Sequence, residues 1–331
     1  MFKAKPLFYN FLLGTIFYSA LAVAQVPFER ILNSTDEPEN WLTYNGGYSS
    51  QRYSELDQIK AENVDELELK WVLQNQVFGA WQSNPIVVDG IMYVTERPNS
   101  VMALDAITGR VFWKYKHTPD ERSRVCCGAN NRGVAVLDDR VFMGTLDARL
   151  VALDRISGEV LWEAEVGDVS RAYSVTMAPL VVKDKVIVGV GGGEYGIRGY
   201  VAAYDAATGE EVWKTYTIPG PGESGHDSWE GDDWQYGGAP VWITGSFDPE
   251  TNLTFWGVGN PGPDWNAGQR PGDNLYSDSV IALDADTGKL DWYFQFTPND
   301  AYDYDSVQVP VLADIDWRGT PTKVMMWANR N

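Results

Sequence analysis

Histidine and cysteine are nearly absent: the 331 residues include two of each, His117, His226, Cys126 and Cys127. That leaves few means of building a histidine-rich zinc centre or a Ser–His catalytic pair. Basic residues are also in deficit, 26 Lys and Arg against 46 Asp and Glu, for a formal charge of −20. Such a surface repels nucleic acid and anionic lipid, so neither is an expected partner. Long apolar runs are missing beyond the N-terminus. The one run, Leu7 to Val23, follows Lys3 and Lys5 and ends in Ala22-Val23-Ala24, the small-x-small pattern of an export-signal cleavage site. Interruption by Asn10, Gly14 and Ser19 favours a cleaved signal over a membrane anchor. Residues 1–24 are therefore read as a signal peptide, and 25–331 as an exported domain for which membrane attachment is not required.

What is abundant points to an all-β fold. The chain has 32 Gly, 17 Pro, 14 Trp and 17 Tyr, and short β-branched runs such as Pro85 to Asp89, Val134 to Leu137 and Val186 to Val190 are bounded by turn residues. Ile59 to Leu67 reads as a short helical or irregular connection. A repeat organises the rest. Ala103 to Trp113, Ala152 to Trp162, Ala203 to Trp213 and Ala282 to Trp292 each read Ala-x-Asp, three residues, Gly, three residues, Trp. In each copy a strand ends at Asp, a Gly turn reverses the chain, and the next strand begins by presenting a large ring for burial. The tryptophans are spaced by 49, 51 and 79 residues. The first two intervals suit a β-propeller of four-stranded blades. The third predicts an insertion of roughly thirty residues, assigned to Gly220–Gly238. A propeller must close its ring, and the sequence stops within what reads as a buried strand. The expectation is an N-terminal portion of a longer protein, with an intact four-bladed ring as the alternative.

Several clusters carry possible chemistry. Thr297 to Asp305 holds Asp300, Asp303 and Asp305. In an extended run Asp303 and Asp305 share a face, where they could hold a hard cation or move a proton; an acidic surface loop is the alternative. Adjacent Cys126 and Cys127 are either two small buried thiols or, in an oxidising compartment, a joined pair. Gly189 to Glu194 follows a strand but opens no helix, which argues against dinucleotide binding. It leaves either a glycine turn or a close backbone approach to a ligand, with Glu194 at its edge. Asn260, on the turn Gly-Val-Gly-Asn-Pro-Gly-Pro, offers an amide oxygen suited to a hard cation.

Together these pieces resemble the pyrroloquinoline quinone (PQQ)-dependent alcohol dehydrogenases, the periplasmic quinoproteins that include methanol dehydrogenase. The resemblance runs from Trp41 to Asn331 and implies an eight-bladed propeller, of which about half is present here and is expected to be inactive alone. It implies that Cys126 and Cys127 form a vicinal disulfide against one face of PQQ, with Trp242 on the other. Arg132, Thr176, Gly191, Gly192 and Gly193 would hold the cofactor, and Arg330 would lie near its reactive carbonyl. Gln82 stands where the family often has Glu, and an amide there can still hydrogen-bond a quinone oxygen. Glu194, Asn260 and Asp303 would bind the metal, and Asp303 would be the catalytic base. Asp305, two residues after that base, resembles the lanthanide-dependent branch, since a trivalent ion favours one more anionic oxygen; calcium is the alternative. Asp300 is assigned to the loop surface. The implied partners are a small primary alcohol and a periplasmic cytochrome c, and a homodimer is left open. The competing function is a non-catalytic propeller scaffold of the outer-membrane assembly type, which would have no use for this combination of residues.

Overall fold

The computed structural model describes residues 25–330; the signal segment read at 1–24 lies outside them. Four antiparallel four-stranded sheets follow one another along the chain, each in simple up-and-down order. The first comprises β1 (Ile86–Val88), β2 (Ile91–Glu96), β3 (Ser100–Asp105) and β4 (Val111–Lys116). The second comprises β5 (Ala135–Leu137), β6 (Arg140–Gly144), β7 (Arg149–Asp154) and β8 (Val160–Glu165). The third comprises β9 (Leu180–Val182), β10 (Lys185–Gly189), β11 (Tyr200–Asp205) and β12 (Glu211–Tyr216). The fourth comprises β13 (Ser246–Asp248), β14 (Leu253–Val258), β15 (Ser279–Asp284) and β16 (Leu290–Gln295), and a hairpin of β17 (Val311–Trp317) and β18 (Thr320–Met326) follows. This is the predicted propeller architecture.

Burial explains which strands read as continuous apolar runs. β10 is buried at every position, and β7 at all but its two ends, because neighbouring sheets cover both faces. The last strand of each sheet alternates or is largely exposed, as in β4 and β8.

The repeat acts between sheets. Each Asp caps its own turn: Asp205 Oδ1 accepts from the N–H groups of Ala207 (3.0 Å) and Thr208 (2.8 Å), and Gly209 N donates to the Asp205 carbonyl at 2.8 Å. The Trp of each of the first three copies then docks on the turn of the following sheet. Trp113 Nε1 donates to Arg155 O, Trp162 to Ala206 O and Trp213 to Ala285 O, all at 3.2 Å. Its ring lies against that turn's glycine, where a Cβ would come within 2.6 Å of the indole at Gly158 and Gly209 and within 2.4 Å at Gly288. The Ala of each repeat pairs across the strands with the Trp, as in Ala203 opposite Trp213. One docking tryptophan lies outside the repeat: Trp71 donates to Ala106 O at 3.2 Å and covers Gly109.

The predicted insertion is divided in two. One part separates β12 from β13, as expected, and a second, residues 259–278, lies between β14 and β15. The second carries Asn260.

Candidate active site

Strand order decides where the chemistry can gather. In an up-and-down sheet, the connection from second to third strand and the connection onward to the next sheet emerge at the same end. Gly191 to Glu194 and Asn260 lie on connections of the first kind. Cys126, Cys127, Arg132, Thr176, Trp242, Asp303 and Asp305 lie on connections of the second kind. A cavity of about 520 Å³ opens at that end. Its lining includes Gln82, Cys126, Cys127, Arg132, Thr176, Gly191, Gly192, Glu194, Trp242, Asp303, Asp305 and Arg330. A larger cleft, about 650 Å³ around Arg30, has that cation paired with Glu37 and Asp89, both at 2.6 Å.

Cys126 and Cys127 form a disulfide with their Cα atoms 3.8 Å apart, which settles the choice between thiols and bridge. A Glu194 carboxylate oxygen lies within 4.8 Å of both sulfurs. Sulfurs bonded to each other are not thiolate ligands, so this closeness sets Glu194 beside the disulfide rather than making a three-ligand centre. Arg132 is buried, donates to Thr176 Oγ1 at 2.9 Å, and lies over the Trp242 ring at 4.7 Å. Gly192 (φ 118°) turns the chain where a Cβ would strike Ala172 O at 2.3 Å. Gly193 and Asn260 lie just behind the cavity wall: a Cβ on Gly193 would sit 2.9 Å from Pro240 Cδ and 3.7 Å from Asn260 Oδ1.

The acidic loop differs from its expected shape. Asp303 (φ 57°) and Asp305 (φ 56°) are left-handed, so an extended strand does not align them. Both carboxylates still face the cavity, because Asp tolerates this conformation. Asp300, expected on the loop surface, is instead buried, at 1% exposure. Its Oδ1 and Oδ2 accept the N–H groups of Tyr302 (2.9 Å) and Tyr304 (2.8 Å), bending the chain around Asp303. The alternating aromatics masked this role, since a buried carboxylate serving backbone donors reads in sequence like any acidic turn.

Negative charge at the site is poorly compensated. Asp305 Oδ1 accepts from Trp242 Nε1 at 3.3 Å and Asn260 N at 3.2 Å, yet burial and then the Asp303 charge push its carboxyl up to about 7. Burial also raises Asp303, with Asp264 adding to the shift and Arg330 opposing it. Glu194 is raised by the density around its carboxyl, then by Asp264 and Asp303, although its side chain is exposed. Arg330 Nη1 holds the Asp303 carbonyl at 2.9 Å. Carboxylates raised together by burial and mutual repulsion form a donor set that a cation would stabilise.

Sequence reasoning missed two contributors. Asp264 Oδ1 accepts from Asn260 Nδ2 at 2.7 Å, and the signal was its place four residues along the same turn. Gly259 leaves room for Asp305, whose Oδ1 would be 2.4 Å from a Cβ there.

Comparison with known proteins agrees with the fold. Residues 41–331 match the PQQ family described as "Glucose/ethanol/alcohol dehydrogenase, beta-propeller domain", and the chain belongs to that family. It is 43% identical to the quinohemoprotein alcohol dehydrogenase ADH-IIG of Pseudomonas putida over 97% of this chain and 47% of that enzyme. With the lanthanide-dependent methanol dehydrogenase of Methylacidiphilum fumariolicum it shares 39% identity, over 92% of this chain and 53% of that one. The solved ADHIIG structure from Pseudomonas putida HK5 superposes with a TM-score of 0.88 at 42% identity, covering 93% of this chain and 47% of that chain. A europium-containing methanol dehydrogenase superposes at 0.87 and 38%, covering 92% and 57%. The chain thus spans about half the length of these relatives.

Proposed function

We propose that this chain supplies the cofactor- and metal-binding part of a periplasmic PQQ-dependent alcohol dehydrogenase that oxidises a small primary alcohol to the aldehyde. The observation that carries the reading is the convergence of Glu194, Asp303 and Asp305 on one cavity beside the Cys126–Cys127 disulfide and Trp242. The donor set fits both groups. Three carboxylates raised by burial and mutual repulsion suit a metal ion, while Arg132, Arg330 and Thr176 would suit an anionic quinone, and the disulfide and the Trp242 indole offer apolar surface to a flat ring.

When bound, PQQ supplies an electrophilic carbonyl, polarised by the metal, that accepts the electron pair of the alcohol C–H bond. Asp303 accepts the hydroxyl proton. Glu194, the Asn260 amide oxygen, Asp303 and Asp305 hold the metal. Arg132 and Thr176, with the Gly191–Gly193 backbone, hold cofactor oxygens, and Gln82 offers a further amide donor. Trp242 and the Cys126–Cys127 disulfide, which line the same cavity, would orient a flat cofactor and exclude water from it.

With Asp305 as a further anionic ligand, the metal is a lanthanide in this reading, and calcium is the competitor. Electrons leave to a periplasmic cytochrome c, and export depends on residues 1–24. The test is alcohol oxidation by the full-length protein, purified metal-free and reconstituted with PQQ plus either a lanthanide or Ca²⁺, using an artificial electron acceptor. Activity with the lanthanide and little with Ca²⁺ is expected. Full activity with Ca²⁺ alone removes the lanthanide assignment, and none with either metal removes the enzymatic one.

A further inference from the structure

Two of the three segments bearing ligands in that reading, 259–274 and 297–305, meet at one buried guanidinium; the third carries Glu194. Arg270 is 0% exposed. Its Nη1 donates to Asn274 Oδ1 at 3.0 Å, its Nε to Pro263 O at 3.3 Å, and its Nη2 to Asp264 O at 3.4 Å and to the Asp300 carbonyl. All four acceptors are neutral oxygens. Burial lowers the Arg270 pKa even though the carboxylates of Asp300, Asp278 and Asp264 act on its charge electrostatically; for stability alone a well-packed apolar side chain would serve as well or better. Its planar fork, by contrast, reaches oxygens on two separate segments at fixed angles, which a lysine cannot do.

Each arm of that fork ends one step from a ligand. On one side, Asp264 carries the carbonyl held by Arg270 and also the carboxylate that engages Asn260 Nδ2 at 2.7 Å. With its nitrogen engaged, the amide presents Oδ1 as the atom for coordination. On the other side, Asp300 offers its carbonyl to Arg270 and its carboxylate to Tyr302 N and Tyr304 N, the residues flanking Asp303. Asn299 closes the same junction, donating from Nδ2 to Arg270 O at 2.9 Å and Gly272 O at 2.7 Å. An unbroken run of hydrogen bonds and backbone thus connects Asn260 to Asp303 through Arg270.

We infer that Arg270 is a positioning residue for the metal site: it fixes the separation of Asn260 from the Asp303–Asp305 loop and thereby sets cation affinity. This rests on the reading that those residues bind a metal. Outer groups that orient ligands typically govern affinity by about 10- to 100-fold.

The probe is Tb³⁺, added alone to the metal-free full-length protein, with emission sensitised through tryptophan. Trp242, whose indole bonds Asp305, is the local antenna. The variant is Arg270→Lys, with its fold checked by circular dichroism and thermal melting. A folded variant that binds Tb³⁺ about 10- to 100-fold more weakly, with a shorter emission lifetime as water replaces a displaced ligand, supports the inference. Wild-type affinity and lifetime in the folded variant overturn it. Should Arg270→Lys not fold, Arg270→Met, which removes the fork and the buried charge together, carries the test with the same expected loss and the same overturning result. If the wild-type protein itself shows no sensitised Tb³⁺ emission, the underlying metal-site reading fails instead, and the two failures are thereby distinguished.

Discussion

Asp305 accepts a hydrogen bond from the backbone N–H of Asn260 at 3.2 Å, across 45 residues of sequence. The bond ties the extra carboxylate of the acidic loop to the turn that offers an amide oxygen, so two candidate ligands on different connections move as one. Removing the carboxylate alone should change what the site prefers. Asp305→Ala is expected to weaken Tb³⁺ binding by about 10- to 100-fold and Ca²⁺ binding much less, because the trivalent ion loses more from each missing negative charge. Competition titration of the two ions measures the ratio. An unchanged ratio would take Asp305 out of the ligand set.

Asp303 carries the proton-transfer role in the proposed reaction. Asp303→Ala in the full-length protein should lower kcat by about 10²- to 10⁴-fold, the usual worth of a positioned base. Because Asp303 is also a candidate ligand, a kinetic loss alone is ambiguous. Asp303→Asn keeps an oxygen for the metal while removing the base, and should retain Tb³⁺ emission while losing turnover. A variant of that kind with more than about a tenth of wild-type kcat would mean the base is elsewhere.

The raised carboxyls make a signed statement about pH. Asp305 moves from an ordinary value of 3.8 up to about 7, so in the metal-free protein the folded state holds a proton that the unfolded chain has lost. Stability from this group is present below about pH 4 and is lost as pH rises through about 7. Asp303 and Glu194 shift in the same direction. Asp147, held down to about 2 with His117 and Thr145 as its hydrogen-bond partners, acts oppositely but only at lower pH. Metal-free protein should therefore melt at lower temperature at pH 8 than at pH 5, and Asp305→Asn should reduce the difference without abolishing it, because burial pushes Asp278 up to about 8 as well. Cation binding needs the ionised forms, so Tb³⁺ affinity should climb over the same interval with proton release. Equal melting temperatures at pH 5 and 8 in the metal-free wild type would contradict this assignment.

The repeat made the fold legible because its parts are local. Asp205, Gly209 and Trp213 lie within nine residues, and each has a job that limits the residue types able to fill it. Trp71 escaped because no Ala-x-Asp and turn glycine precede it in the sequence. The candidate site was legible where an unusual residue or neighbour marked it, as with Cys126-Cys127 and Asn260. Asp300, Asp264 and Arg270 were not, since their importance comes from burial and from contacts between the 259–278 insertion and the acidic loop. Nothing in the spacing of these residues announces that the two segments touch. The alternation argument for Asp303 and Asp305 reached the right cavity through the wrong backbone, because left-handed Asp residues leave no periodic trace.

The contact between Trp162 and Gly209 offers a test of how the sheets lock together. Gly209 (φ 77°) and Gly90 (φ 75°) share a backbone conformation, but a Cβ at Gly209 would lie 2.6 Å from the Trp162 ring while one at Gly90 meets nothing within 4 Å. Alanine at either position incurs the left-handed penalty of about 1 kcal/mol. At Gly209 it must also displace an indole that is held by its hydrogen bond to Ala206 O, adding about 1–3 kcal/mol of overpacking. Denaturant unfolding of the two variants in the full-length protein should therefore separate them by about 1–3 kcal/mol, with Gly209→Ala the less stable. Tryptophan fluorescence should report the displaced ring in Gly209→Ala only. Equal destabilisation would show that the glycine is required for its turn alone, and that the ring can slide without loss.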